Sequence, residues 1–297
     1  MGPILVIFGR NPVGGAEPLS GRGTSEPAVS MPDLDWRLIP EESRSGAMNM
    51  ALDEAAARSV AGGAQPVLRL YRWQPSTLSL GYHQDERTVD WARCRETGVD
   101  VTRRPTGGGG IYHDRWGDIS YSIIVPTSAV AGDLTASYRT LLTPIIQAFD
   151  RMGLEAKFSD RERPGLWEPA CYLRPVDPAH DVVADDRKIS GNAQYRQRDV
   201  IIQHGSVTYE SDPRRHLSVF ADPDATPEDF GERVTDVRSQ ASITRAGAVS
   251  ALESSLREWA SASGGRWSRD ELRTARELAE TKYRSTDWTR RGKDPTA

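Results

Sequence analysis

Four consecutive glycines, Gly107, Gly108, Gly109 and Gly110, lie in "RRPTGGGGIYHD" between an arginine pair and a His-Asp pair. Holding a glycine in one conformation costs roughly 0.5–1 kcal/mol more than holding an alanine. A fixed run of four must therefore meet a backbone need, either a positive φ or the close approach of another group. An isolated glycine run is often a plain surface loop, but the flanks here argue otherwise. "GVDVTRR" alternates like a strand before the run, and "DISYSIIVP" reads as a second strand after it. A glycine turn between strands, flanked by Arg and His, suits an acidic or phosphorylated ligand. It is not a Walker phosphate loop, which needs Lys and Ser/Thr after the glycines where this chain has Ile111 and Tyr112. Nor is it a dinucleotide fingerprint, whose glycines open a helix.

Composition narrows the partners. A formal net charge of −4 argues against a nucleic-acid-binding surface. No stretch approaches the ~20 apolar residues of a membrane span, and "MGPILVIFGR" has no basic region before its apolar run, so it does not read as a secretory signal. The expected location is the cytoplasm. Two cysteines, Cys94 and Cys171, stand without a CxxC or Cys/His pattern, so neither a disulfide framework nor a structural zinc is expected. No metal ligand set is assigned.

The order of elements predicts an α+β fold, a mixed and mostly antiparallel sheet flanked by helices with a helical C-terminal end. Residues 1–32 are rich in Gly, Pro and Ser and read as a disordered extension, with Met31 an alternative start. Residues 33–240 form the expected main α+β unit and 241–297 a helical C-terminal segment. "SGAMNMALDEAAARSVAGG" reads as a helix closed by Gly62 and Gly63. Residues 136–152 carry apolar side chains at helical spacing, with Pro144 predicting a kink or a late start. Residues 163–178 are irregular and proline-rich. "TPEDF" and "SRDELRTARELAETKY" carry helix N-cap signals, Thr226 before a proline and the capping-box pair Ser268 and Glu271.

Five segments together resemble the lipoate–protein ligase A and octanoyltransferase family. "RRPTGGGGIYHD" is similar to its signature Arg-Arg-x-Ser/Thr-Gly-Gly-Gly-x-x-Tyr/Phe-His-Asp, "DRKISGNAQYR" to its lysine motif, and "IIQHGSV" to its His-Gly-Ser/Thr strand. "MNMALDEA" and "LSLGYHQ" match the opening helix and the strand before the first signature. The resemblance covers roughly residues 34–240. It implies attachment of a lipoyl or octanoyl group to one lysine of a lipoyl carrier domain, either in 2-oxoacid dehydrogenases or in the glycine-cleavage H protein. It places the acyl group or acyl-adenylate along the glycine loop, among Arg104, Thr106, Gly107, Gly108, Gly109, Gly110, His113, Asp181, Gly191 and His204.

Lys188 and Cys171 are the expected catalytic residues. The 38 basic side chains include only four lysines (Lys157, Lys188, Lys282 and Lys293), so the other 34 are arginines. Against that background an ammonium in "DDRK" is less casual than a surface lysine, because a compact cation can point at one oxygen where guanidinium is too wide. The resemblance puts it on the acyl carbonyl as an exposed cleft lysine. Cys171, in "EPACYLRP", matches the transferase pattern Cys-Phe/Tyr-x-x-Pro, which takes octanoate from acyl carrier protein as a thioester with no cofactor. Cys94 reads as a buried small hydrophobe. The ligase alternative needs ATP and magnesium to adenylate lipoate. Asp181 fits it as the acid near phosphate and metal, although His180 replaces the usual Asn. The Gly-Arg-Gly-Arg loop of biotin ligases is absent. A lipoyl-binding protein without activity would be expected to lack Lys188, the glycine run or the QHGS strand, and all three are present.

Overall fold

The computed structural model describes residues 34–295; the extension expected to be disordered, with Met31, lies outside them. β1 (Arg37–Arg44) leads into α1 (Gly46–Ala61), which Ser45 caps by accepting the Met48 N–H. Strands β2 (Val67–Trp73) and β3 (Thr77–Leu80) precede α2 (Trp91–Thr97), which ends at Gly98 with φ 69°. Then come β4 (Asp100–Arg103), β5 (Ile111–His113), β6 (Asp118–Pro126) and α3 (Leu134–Arg151). The last of these starts at an Asp133 cap, earlier than its apolar spacing predicts, and continues past Pro144. β7 (Lys157–Phe158), β8 (Val182–Ala184), β9 (Arg187–Arg196) and β10 (Val200–Thr208) complete the hairpins. Asp185 and Asp186 make the tight β8–β9 turn with φ of 48° and 58°.

The helical end follows as α4 (Pro213–Ser218), α5 (Pro227–Arg233), α6 (Val237–Gln240), α7 (Arg245–Ala260), α8 (Arg269–Leu278) and α9 (Thr286–Arg291), with a short β11 (Ser263–Gly264) between α7 and α8. Both N-cap signals hold: Thr226 caps α5, and Ser268 and Glu271 close a reciprocal capping box on α8.

One eight-stranded sheet has the order β11-β1-β2-β6-β10-β9-β8-β7; β1 is parallel to β2 and β11, and the other pairs are antiparallel. The period of two sorts its faces. Ile119, Tyr121, Ile123 and Val125 of β6 pack with Leu141, Ile145 and Phe149 of α3 and Leu252 of α7. Ile124 turns the other way, into a second core with α1 and α8. Beside it, Ser120 and Ser122 put small polar groups where an apolar strand would put bulk. A smaller sheet, β4-β3-β5, leans over this polar face and carries the glycine loop between β4 and β5.

Adjacent side chains of β4 point opposite ways, and this ties the C-terminal segment to the loop. Arg103 is buried and donates to the carbonyls of Gly81, Tyr82 and Gln84, and to those of Trp288, Thr289 and Arg290 in α9. Trp288 returns a bond to the Arg103 carbonyl at 2.8 Å. No helix among the described residues is long and apolar enough to cross a membrane.

Candidate active site

A cavity of about 810 Å³ opens between the two sheets, walled by Trp73, Gly107, His113, Cys171, Gly191 and His204 among others. The glycine run divides in two around it. Gly107 and Gly108 line the cavity; Gly108 has φ +95°, and a Cβ on Gly107 would meet nothing within 4 Å. Gly109 and Gly110 face protein instead. A Cβ on Gly109 would sit 2.8 Å from the Cys171 nitrogen and 2.9 Å from the carbonyl oxygens of Glu168 and Pro169. Gly110 donates to the Pro169 carbonyl at 2.7 Å and accepts the Cys171 N–H at 2.9 Å. Half of the run thus makes way for the irregular loop that carries the candidate nucleophile, and only half for a ligand.

Gly109→Val is accordingly expected to push the Cys171 loop away, since those neighbours are backbone and cannot swing aside. Overpacking of this kind costs about 1–3 kcal/mol. Calorimetry should show a lowered but cooperative melt, with acyl transfer reduced at least ~100-fold by misplacement of the thiol.

Cys171 is a free, half-buried thiol at the start of a single 3₁₀ turn, Cys171–Leu173. Its sulfur lies 3.6 Å from where a Cβ on Gly191 would be, so the thiol seats against the glycine of "ISGN" in β9. Cys94 is the opposite case. It is buried between α2 and the small sheet, and burial pushes its thiol up to about 11.

Lys188 differs from the sequence expectation. It is 4% exposed rather than an open cleft lysine. Its ammonium contacts the Asp181 carboxylate at 3.2 Å and donates to the carbonyls of Arg174 (3.3 Å) and Pro175 (3.2 Å). It therefore clips the loop that follows Cys171 onto β9. Asp181 is buried with it and also accepts the Asp177 N–H at 2.8 Å. His180 lines the cavity and tilts against Tyr138, ring centroids 5.1 Å apart.

Arg104 and the two motif histidines form one buried network. Arg104 donates to the Thr106 hydroxyl (3.1 Å), to the carbonyl (2.8 Å) and hydroxyl (3.3 Å) of Ser79, and to the carbonyls of Gly107 (2.8 Å) and Gly109 (2.7 Å). His113 places Nε2 2.8 Å from Ser79 Oγ and Nδ1 against Asp118, under a stacked Trp73 ring 4.1 Å away. His204 places Nε2 2.7 Å from Thr106 Oγ1 and Nδ1 3.5 Å from Asp53. Burial pushes the His204 imidazole below its usual range, with Asp53 opposing. Ser79, Asp53 and Asp118 escape the sequence reading. Asp53 lies one turn from Asn49 on α1, and both reach the buried Arg69; that i, i+4 polar pair on an otherwise apolar helix face is the signal that could have found it.

A family model, "Lipoyl protein ligase A/B catalytic domain", matches residues 45–257. The chain belongs to this family. Octanoyltransferase LipM of Kyrpidia tusciae is 36% identical over 271 residues, 85% of this chain and 97% of that protein. Octanoyltransferase LipM of Bacillus subtilis is 31% identical over 284 residues, with the same coverage. Among solved structures, lipoate-protein ligase A bound with ATP matches with a TM-score of 0.72 at 26% identity, over 86% of this chain and 98% of that one. The bi-partite lipoate protein ligase of Thermoplasma acidophilum, titled with its E2 lipoyl domain, matches with a TM-score of 0.72 at 25% identity, over 86% and 96%. The predicted α+β fold and family are both met, and the chain is an acyltransferase of the lipoyl protein ligase family. Its five sequence segments converge on the two walls of a single cavity.

Proposed function

We propose that this chain is an octanoyltransferase that carries an octanoyl group from acyl carrier protein, through a thioester on Cys171, to the target lysine of a lipoyl domain. The observation that carries the reading is the placement of Cys171: a free thiol in the cavity wall, seated on Gly191 and held by the glycine loop. In the first half-reaction the Cys171 thiolate attacks the carrier thioester. A C–S bond forms at Cys171, the carrier C–S bond breaks, and the carrier thiol leaves with the proton. Exchange between thioesters is nearly isoenergetic, and the amine of the lipoyl domain then attacks downhill to an amide, returning the Cys171 thiol. The transfer needs no cofactor. The catalytic unit is residues 33–240 with the helical segment 241–297 packed onto it, acting in the cytoplasm on lipoyl domains of 2-oxoacid dehydrogenases or the glycine-cleavage H protein. Gly107 and Gly108 border the acyl chain, and Lys188 steadies the carbonyl if it exchanges one of its loop carbonyls for it.

The likeness to an ATP-bound ligase favours a second reading, adenylation of lipoate with magnesium. The residues fit it less well. Asp181, the acid that chemistry would set beside phosphate and metal, is buried and already paired with Lys188.

Apo lipoyl domain offered octanoyl-carrier in one vessel, and lipoate with ATP and magnesium in another, separates the readings by mass. Octanoylated domain in the first vessel alone is the expected result. Lipoylated domain in the second alone would make the protein a ligase, and no product in either would leave an inactive lipoyl-binding protein.

A further inference from the structure

Arg104 poses an electrostatic puzzle. It is 4% exposed, and its five N–H donors are all spent on neutral oxygens, those of Thr106, Ser79, Gly107 and Gly109. Among the described residues no carboxylate lies within 4 Å of it, so it is a buried cation without an ion-pair partner, an expensive thing to fold. Lys188 and Arg174, on the loop side of the cavity, are by contrast paired, with Asp181 at 3.2 Å and Glu168 at 2.9 Å.

We propose that Ser79–His113–Asp118 and Thr106–His204–Asp53 are two positioning relays that fix Arg104 as an uncompensated positive charge behind Cys171, where it stabilises the thiolate and the oxyanion of thioester exchange.

The proton order in each relay follows from its acceptors. Asp118 accepts from His113 Nδ1–H, which leaves Nε2 to accept the Ser79 O–H, and the Ser79 oxygen to accept from Arg104. The same sequence runs from Asp53 through His204 and Thr106 to the Arg104 Nε–H. Each hydroxyl is therefore turned with its lone pair to the guanidinium, and rotation is closed off by the histidine. The relays are not equal in charge. Asp53 is already paired with Arg69 at 2.9 Å, whereas among the described residues Asp118 is held only by His113 and the hydroxyls of Ser120 and Ser206. Asp118 thus offers the network a negative charge one imidazole and one hydroxyl away, close enough to keep Arg104 folded in and too far to neutralise it.

The link to Cys171 runs through Gly109. Arg104 holds the Gly109 carbonyl at 2.7 Å, and Gly109 packs directly on the Cys171 nitrogen. Burial pushes the Arg104 guanidinium down to about 10, and negative charge at Cys171 is the largest influence acting against that. A positive charge held this close to the loop attracts negative charge that develops at the sulfur.

This inference rests on the thioester reading, but it can be tested without any acyl group. The rate at which iodoacetamide alkylates Cys171 at pH 7, followed by intact and peptide mass, reports the reactivity of that thiol alone; buried Cys94 serves as internal reference. Arg104→Gln is expected to slow alkylation roughly tenfold, and Ser79→Ala and Thr106→Val each a few-fold. Thr106→Ser should restore most of the rate lost in Thr106→Val, because it returns the hydroxyl. Adding Ser79→Ala to Arg104→Gln should have no further effect, since the relay acts only through the cation. An unchanged rate in Arg104→Gln, or relay losses that persist undiminished in its background, overturns the proposal. Should Arg104→Gln lack a cooperative melt, the other variants decide: unchanged rates in Ser79→Ala and Thr106→Val overturn it, and losses rescued by Thr106→Ser support it. Failure of octanoyl transfer with this pattern intact would count against the proposed function and not against the relays.

Discussion

Cys171→Ser is expected to lower octanoyl transfer by on the order of 10⁴-fold or more, the scale seen when the nucleophile of a covalent mechanism is removed. Serine is nearly isosteric, and the half-buried site keeps its backbone bonds to Gly110, so the melt should stay close to that of the wild type. The loss is chemical. A hydroxyl needs a strong base to become a nucleophile, and among the described residues no side chain is hydrogen-bonded to Cys171 Sγ. Cys94→Ser should behave in the reverse way: stability falls by about 1–3 kcal/mol because a hydroxyl replaces a buried thiol, and turnover is kept. Parallel melts and steady-state rates of the two variants check both halves. A Cys171→Ser enzyme with near-normal turnover contradicts the assignment.

Lys188→Ala should damage both fold and activity. It leaves Asp181 buried and unpaired, and breaking such a pair from one side costs about 3–5 kcal/mol. It also frees the carbonyls of Arg174 and Pro175, so the loop after Cys171 loses its clip. Activity lost in that variant alone would say little about catalysis. The double variant Lys188→Met/Asp181→Asn separates the two, since removing both charges should recover most of the stability. If Lys188 also steadies the acyl carbonyl, turnover in the double variant stays ~10²–10³ below wild type. Turnover within threefold of wild type in a protein that melts normally would reduce Lys188 to a structural clip.

Local rules carried the sequence reading a long way, and they stop where contacts become long-range. Caps at Thr226 and Ser268 mark helix starts because the cap and the helix are neighbours in the chain. The glycine run reads correctly as a turn between strands. What its second half packs against does not, because Gly110 pairs with Ala170, sixty residues on, and nothing local names that partner. The scarcity of lysine singles out Lys188, yet its burial depends on Asp181 across a strand bulge and on the loop carbonyls of Arg174 and Pro175. Arg103 and Arg104 look alike as a pair, but strand alternation sends one to the carbonyls of α9 and the other to the cavity. Ser79 left a faint trace: a hydroxyl between Leu78 and Leu80 in a four-residue strand faces the side opposite the apolar core. Pro144 does not mark a late start: α3 already begins at Leu134, since its long apolar face outweighs one missing backbone bond.

The proposed function turns on whether the acyl group resides on Cys171. Wild-type protein mixed briefly with octanoyl-carrier, without a lipoyl domain, and examined by intact and peptide mass spectrometry answers this directly. The account predicts one added octanoyl group on the peptide containing Cys171, removed by hydroxylamine and discharged when apo lipoyl domain is added. Octanoylation of the lipoyl domain with no such adduct at any time, or an adduct confined to another residue, would contradict it.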